Sequence, residues 1–134
     1  MRSVITQSVV LPAAAVALFD MYLDPQAHEA ITGAPVTIVS IAGSDFKAFG
    51  GVLTGTVLAV VRSSLIVQSC RSAKFELEDP DSTLILSFQP EGANGRIDLV
   101  HLDVPDHDYN SVVEGWEKFY WTPWRQFLDR TVRQ

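Results

Sequence analysis

The feature that most constrains this chain is an aromatic stripe near its C-terminus. Val112, Trp116, Phe119, Tyr120, Pro123 and Phe127 recur at helical spacings of three and four. Trp121, Trp124 and Leu128 widen the stripe. Ser111-Val-Val-Glu114 reads as a capping box that opens the helix there or a turn earlier, and the helix runs to about Arg130. Some 20 residues at 1.5 Å each cover about 30 Å, the length of a small sheet. Pro123 removes one backbone donor and is expected to kink this helix. So much apolar surface demands an equally apolar partner face.

That face is supplied upstream, where the period changes from helical to alternating. Strands are expected at 36–41, 45–49, 51–62, 64–71, 82–89 and 96–104, punctuated by glycines. Leu84, Leu86 and Phe88 share one side of their strand while Thr83, Ser87 and Gln89 share the other, with Ile85 out of pattern. Strand 51–62 is apolar on both sides and is expected to be central. Ser3 to Val10 reads as a further, N-terminal strand. Between it and the others, Pro12 suits the first turn of a helix over Ala13 to Tyr22, and Asp24-Pro25 restarts the chain into a second short helix ending at Gly33. With no repeat or linker, residues 1–134 are expected to form one α+β domain.

Charge and cysteine content narrow the partners. Ten Lys and Arg against 16 Asp and Glu give a net charge of -6, which repels phosphate backbones and argues against nucleic acid. The apolar run Val9 to Phe19 follows Arg2 as in a secretory signal, but it is broken by Pro12 and is 11 residues long, well short of the ~20 of a membrane span. A lone cysteine, Cys70, excludes an intrachain disulfide and makes the cytoplasm the default location.

Several motifs are ordered along the chain: Gly43-Ser-Asp-Phe46, Phe49-Gly-Gly-Val-Leu-Thr-Gly55, Ile66-Val67-Gln68, Val104-Pro105, and Glu114-Gly115-Trp116 with Tyr120 downstream. In this order, and in the order of its elements, the chain resembles the helix-grip, START-like or SRPBCC superfamily. Within it, the chain resembles the C-terminal domain of the activator of heat-shock protein 90 ATPase and its single-domain relatives. The resemblance implies a curved antiparallel sheet wrapped around the long C-terminal helix, with two short helices after the first strand. It also implies a space between helix and sheet that holds an apolar ligand in some members and serves catalysis in others. Contact with a chaperone is implied too, although the eukaryotic activators use a separate N-terminal domain that these 134 residues do not contain. Where the family commonly carries a tryptophan-containing run, this chain reads Ser69-Cys70-Arg71-Ser72.

The glycines of these motifs have readings of their own. Gly50 and Gly51 permit a sharp reversal. Gly55 lets its strand bend or lets the final helix come close, and Gly115, costly inside a helix, suggests close packing on the sheet beside Trp116.

The chemistry-bearing residues are few. His101 and Asp103 would share one strand face with His107 six residues beyond His101, a cluster for metal or acid-base work. Against this, His101 reads better as a cavity-wall or core polar group with Asp103 and His107 solvating a loop, and no third or fourth zinc ligand can be placed, so neither metal nor cofactor is expected. Cys70 beside Arg71 is either an activated thiol or a buried structural one. No nucleophile triad, phosphate loop or dinucleotide fingerprint is present. Trp116, Phe119, Tyr120, Trp124 and Phe127 either fill the core or line a pocket facing Phe46, Phe49, Leu86 and Phe88, with Tyr120, His101 and Arg71 as its inward polar groups. Trp121 can instead face outward, where it would mark a homodimer contact. The expected partner is a hydrophobic or amphipathic small molecule, with a chaperone or other protein as the alternative. An enzyme using His101, Asp103 and Tyr120 is the third.

Overall fold

A computed structural model describes residues 2–132; Met1, Arg133 and Gln134 of the expected domain lie outside the described residues. Seven strands form one curved antiparallel sheet: β1 (Arg2–Leu11), β2 (Val36–Thr37), β3 (Asp45–Ala48), β4 (Leu53–Val61), β5 (Leu65–Ser72), β6 (Ser82–Glu91) and β7 (Asn94–Pro105). Their order is β1-β7-β6-β5-β4-β3-β2, so the N-terminal strand pairs with the last one and β5 is central, not β4. Helices α1 (Ala15–Leu23) and α2 (Pro25–Thr32) lie between β1 and β2. The chain closes with α3 (Tyr109–Trp116), a π-helical turn (Glu117–Trp121) and α4 (Thr122–Val132), all set against the concave face.

Most boundaries follow local chemistry. The Asp24 carboxylate accepts from Gln26 N at 3.0 Å, Pro25 takes the first helical position, and Gly33 closes α2 at φ 76°. Gly50 and Gly51, at φ 65° and 96°, make the reversal between β3 and β4, and Phe49 enters it at φ 54°, so β3 stops at Ala48. Pro12 sits in the link between β1 and α1, and the helix begins only at Ala15.

Four expectations fail for identifiable reasons. The strand at 36–41 shrinks to Val36–Thr37 because it is a sheet edge beside the short β3. β4 is not apolar on both sides of a core: Leu58, at the bulge between Val57 and Ala59, and Val61 beyond it face outward, about half exposed. At Gly55 the close neighbour is the adjacent strand, since an added Cβ would lie 1.9 Å from the Ser69 carbonyl oxygen. At Gly115 nothing is close: a Cβ would meet only Phe119 Cδ2, at an ordinary 3.6 Å.

The final helix also differs in detail. It begins at Tyr109, and Ser111 caps nothing; its hydroxyl meets Lys74 Nζ at 3.1 Å instead. The break tied to Pro123 takes the form of the π turn just before it. A π turn brings residues five apart back toward the same side of the helix, which lets Trp116 and Trp121 stack with centroids 5.5 Å apart and planes 22° apart. Trp121 is therefore turned inward, 5 % exposed, and donates to Gln7 Oε1 at 2.7 Å. The aromatic dimer contact expected of it has no ring at that place.

Candidate functional site

Strand alternation puts one set of residues on the concave face. Along β5 the inward positions are Ile66, Gln68 and Cys70; along β6 they are Ser82, Leu84, Leu86 and Phe88. In register, Gln68 lies opposite Leu84, Leu84 opposite His101, and Cys70 opposite Ser82. These residues sit toward one end of the sheet. At the other end Leu86 and Phe88 are covered by α1, where Phe19 meets the Phe88 ring edge-on at 5.5 Å.

Between the uncovered end and the final helix lies a cavity of about 350 Å³. Phe46, Leu53, Gln68, Leu84 and His101 form its floor, and Val112, Gly115, Trp116, Phe119 and Tyr120 its roof. Tyr22 and Phe49 close the sides. The mouth is bordered by Ser72, Lys74 and Phe75 from the β5–β6 connection and by Asp108 and Ser111 from the start of the last helix. Its volume falls in the range of small-ligand pockets, and its walls are aromatic with a few fixed polar groups.

Those polar groups belong to two buried chains. The Trp116 indole N–H, which can only donate, meets His101 Nδ1 at 3.2 Å, so Nδ1 is unprotonated. His101 Nε2–H then donates to Ser82 Oγ at 2.8 Å, and Ser82 donates onward to the Cys70 carbonyl. In the second chain the Tyr22 carbonyl accepts from His28 Nδ1 at 2.8 Å, which leaves Nε2 to accept from the Tyr120 hydroxyl at 2.9 Å. The Tyr22 hydroxyl donates to Gln68 Oε1 at 2.7 Å. Each histidine is thereby fixed in one neutral tautomer.

Burial reinforces neutrality. It pulls both His28 and His101 down to about 4, pushes the Cys70 thiol up to about 12, and raises the Tyr22 and Tyr120 hydroxyls above their ordinary value. A thiol so placed is a poor nucleophile, so Cys70 is the structural cysteine of the two readings.

Of the residues expected at the site, Phe46, Phe49, His101, Trp116 and Tyr120 border the cavity. Leu86 and Phe88 do not, because α1 occupies their end of the sheet. Trp124 does not, because it is buried beside Trp121, 6.4 Å away and nearly parallel. Arg71 points the other way: its guanidinium holds the Asp79 and Glu76 carbonyls, each at 2.6 Å, and pairs with Asp81 at 3.2 Å. The acid-base cluster is not assembled. Asp103 is exposed at φ 60°, which breaks the alternation that would have put it beside His101. His107 faces outward and pairs with Asp79 at 2.8 Å, which raises its pKa. Among the described residues no three His, Cys, Asp or Glu side chains come close enough to hold a metal ion.

Sequence reasoning missed Tyr22, His28, Gln68, Ser82 and the rim residues Lys74 and Asp108. Gln68 carried a signal: it is a polar residue at an inward position of its strand, between Ile66 and Cys70. Tyr22 and His28 carried none, since their roles depend on where α1 and α2 dock.

Comparison with known proteins agrees with this geometry. The sequence profile described as Activator of Hsp90 ATPase homolog 1-like protein matches residues 12–128. Among solved structures, protein MLL2253 from Mesorhizobium loti superposes with a TM-score of 0.83 at 19% identity, covering 96% of this chain and 98% of its own. PFC0360w, an HSP90 activator from Plasmodium falciparum, gives 0.78 at 16% identity, with 87% and 89% covered. DynU16, a protein in the dynemicin biosynthetic locus, gives 0.77 at 13% identity, with 94% of this chain and 47% of that one covered. No curated protein is similar enough in sequence to count as a match.

Proposed function

This chain belongs to the Activator of Hsp90 ATPase homolog 1-like family, and from that premise we propose that it is a single binding domain for a hydrophobic or amphipathic small molecule. The observation that carries the reading is the cavity of about 350 Å³ between the final helix and the sheet, walled by aromatic side chains and open at a rim with Lys74 and Asp108. A space of this size left between well-packed layers is costly unless something fills it. Its interior polar groups are neutral and mostly satisfied, so selection is by shape and few hydrogen bonds. The fold shared with DynU16, a protein in the dynemicin biosynthetic locus, is consistent with such cargo. The neutral, buried Cys70 fits a reducing compartment, the cytoplasm.

Native mass spectrometry of the protein purified from its own host tests this directly. A reproducible small-molecule adduct is expected. A bare chain, together with no thermal stabilisation by any member of a hydrophobic compound panel, overturns the reading, because ligand at 100 times Kd adds about 2.7 kcal/mol.

A second reading is contact with a chaperone, favoured by the fold shared with the HSP90 activator from Plasmodium falciparum. It predicts that the purified domain binds an Hsp90-type chaperone and alters its ATPase rate. An unchanged rate with no co-elution removes it.

A further inference from the structure

Among the described residues, the buried side-chain nitrogens and oxygens around the cavity are paired at every atom but one. Ser82 and His101 satisfy each other and the Trp116 indole, and the Tyr120 proton goes to His28. Gln68 is 0% exposed, midway along the central strand, and its Oε1 already accepts from Tyr22. Its Nε2 has no acceptor among the described residues. Buried amides are rarely left this way, since an unmet donor costs more than a met one gains. The other such nitrogen among the described residues, Trp124 Nε1, does not border the cavity.

Resting on the cavity being a ligand site, we infer that its ligand is an uncharged, largely apolar molecule carrying a carbonyl oxygen, which accepts a hydrogen bond from Gln68 Nε2 at the cavity floor. A carboxylate is disfavoured there. No cation lies on the floor; Lys74 is at the rim, and His101 is buried with its Nδ1 already accepting from the Trp116 N–H. An ionised oxygen would therefore be buried without a partner. A pure hydrocarbon would leave the amide unmet. A carbonyl supplies the missing acceptor and brings no charge.

The test uses matched probes that differ by one carbonyl, fluorene against 9-fluorenone and undecane against 2-undecanone. In the wild-type protein each ketone is expected to bind more tightly than its hydrocarbon, by about 2- to 12-fold, the net worth of one hydrogen bond. The infrared carbonyl band of bound fluorenone is expected below its position in alkane. In Gln68→Met both differences vanish while hydrocarbon binding is kept. Equal binding within each pair, with an alkane-like carbonyl band in the wild type, overturns the inference and leaves the cavity reading standing. Binding of neither pair removes the cavity reading and this inference with it. Should Gln68→Met fail to fold, the wild-type ratio and band still decide.

Discussion

Gly115 offers the sharpest separation between what the sequence suggests and what the structure shows. A glycine inside a helix, next to a tryptophan that faces a sheet, suggests that the backbones must approach closely. The structure instead places Gly115 at the cavity roof, where an added Cβ would touch only Phe119 Cδ2 at 3.6 Å. With no clash, Gly115→Ala recovers the helix propensity that glycine forgoes, about 1 kcal/mol. For a chain of 134 residues that is a rise in Tm of roughly 3–5 °C. The matching variant Gly115→Phe extends a ring from the same position. The helix should still form, and fluorene binding should fall at least about tenfold, a loss of about 1.4 kcal/mol. Scanning calorimetry and fluorescence titration read the two effects separately. If Gly115→Ala lowers Tm, the glycine serves close packing and the roof geometry is wrong. If Gly115→Phe binds fluorene as the wild type does, the space beneath this helix is not where apolar ligands go.

Other perturbations follow from the same contacts. His28 and His101 sit at about 4 when folded against 6.5 ordinarily, so between these values the unfolded chain binds two protons the folded one refuses, and stability is lost as pH falls from 6.5 toward 4. The two together give at most about 2.7 kcal/mol per pH unit; urea titrations should show this slope halved in His101→Gln, and a flat profile would refute the buried neutral pair. Cys70, held up to about 12 and buried, should resist a thiol reagent at pH 8 until the protein is unfolded, and rapid modification of the native protein would refute its placement. Gly55→Ala would set a methyl 1.9 Å from the Ser69 carbonyl oxygen, so β4 and β5 must part locally at a cost of about 3 kcal/mol; denaturant midpoints measure it, and a neutral substitution would refute the register. His107, paired with Asp79, should titrate above an ordinary histidine by NMR, and Asp79→Asn should bring it back down.

What the sequence makes legible is what short-range periodicity encodes. The alternation of Leu84, Leu86 and Phe88 and the four-residue spacing of Val112, Trp116 and Tyr120 were enough to place a helix over a sheet, and Asp24, Pro25 and Gly33 were enough to bound α2. The site was half legible for the same reason. Phe46, His101, Trp116 and Tyr120 sit where their own element's period puts them, whereas Leu86 and Phe88 obey the period but are taken by α1, a long-range event no local pattern reports. Asp103 and Trp121 defeat the pattern by breaking the geometry on which it rests, one through a left-handed backbone and the other through a π turn. Arg71 flanks an inward residue yet turns out to hold the loop after β5, because the Glu76 and Asp79 carbonyls offer acceptors that an apolar cavity does not.

The π turn links these local departures to the function. Had the final helix stayed α-helical through Pro123, Trp116 and Trp121 would lie about 140° apart around its axis and could not stack on the same side. With residues five apart brought back toward one side, Trp116, Trp121 and Trp124 form one inward row, and the Trp116 indole is held at an angle from which its N–H reaches His101. That bond fixes the His101 tautomer, which directs Ser82 and removes the one floor imidazole that could have taken a proton. The neutrality of the cavity floor comes from the burial of His101, to which the winding of the helix adds the bond that fixes its tautomer. Among the described residues, charged groups therefore border the cavity only at the rim, at Lys74 and Asp108, while the interior presents aromatic walls and a single unpaired amide. An amphipathic molecule entering this space would therefore lie with its apolar body inside and its charged end, if it has one, outward.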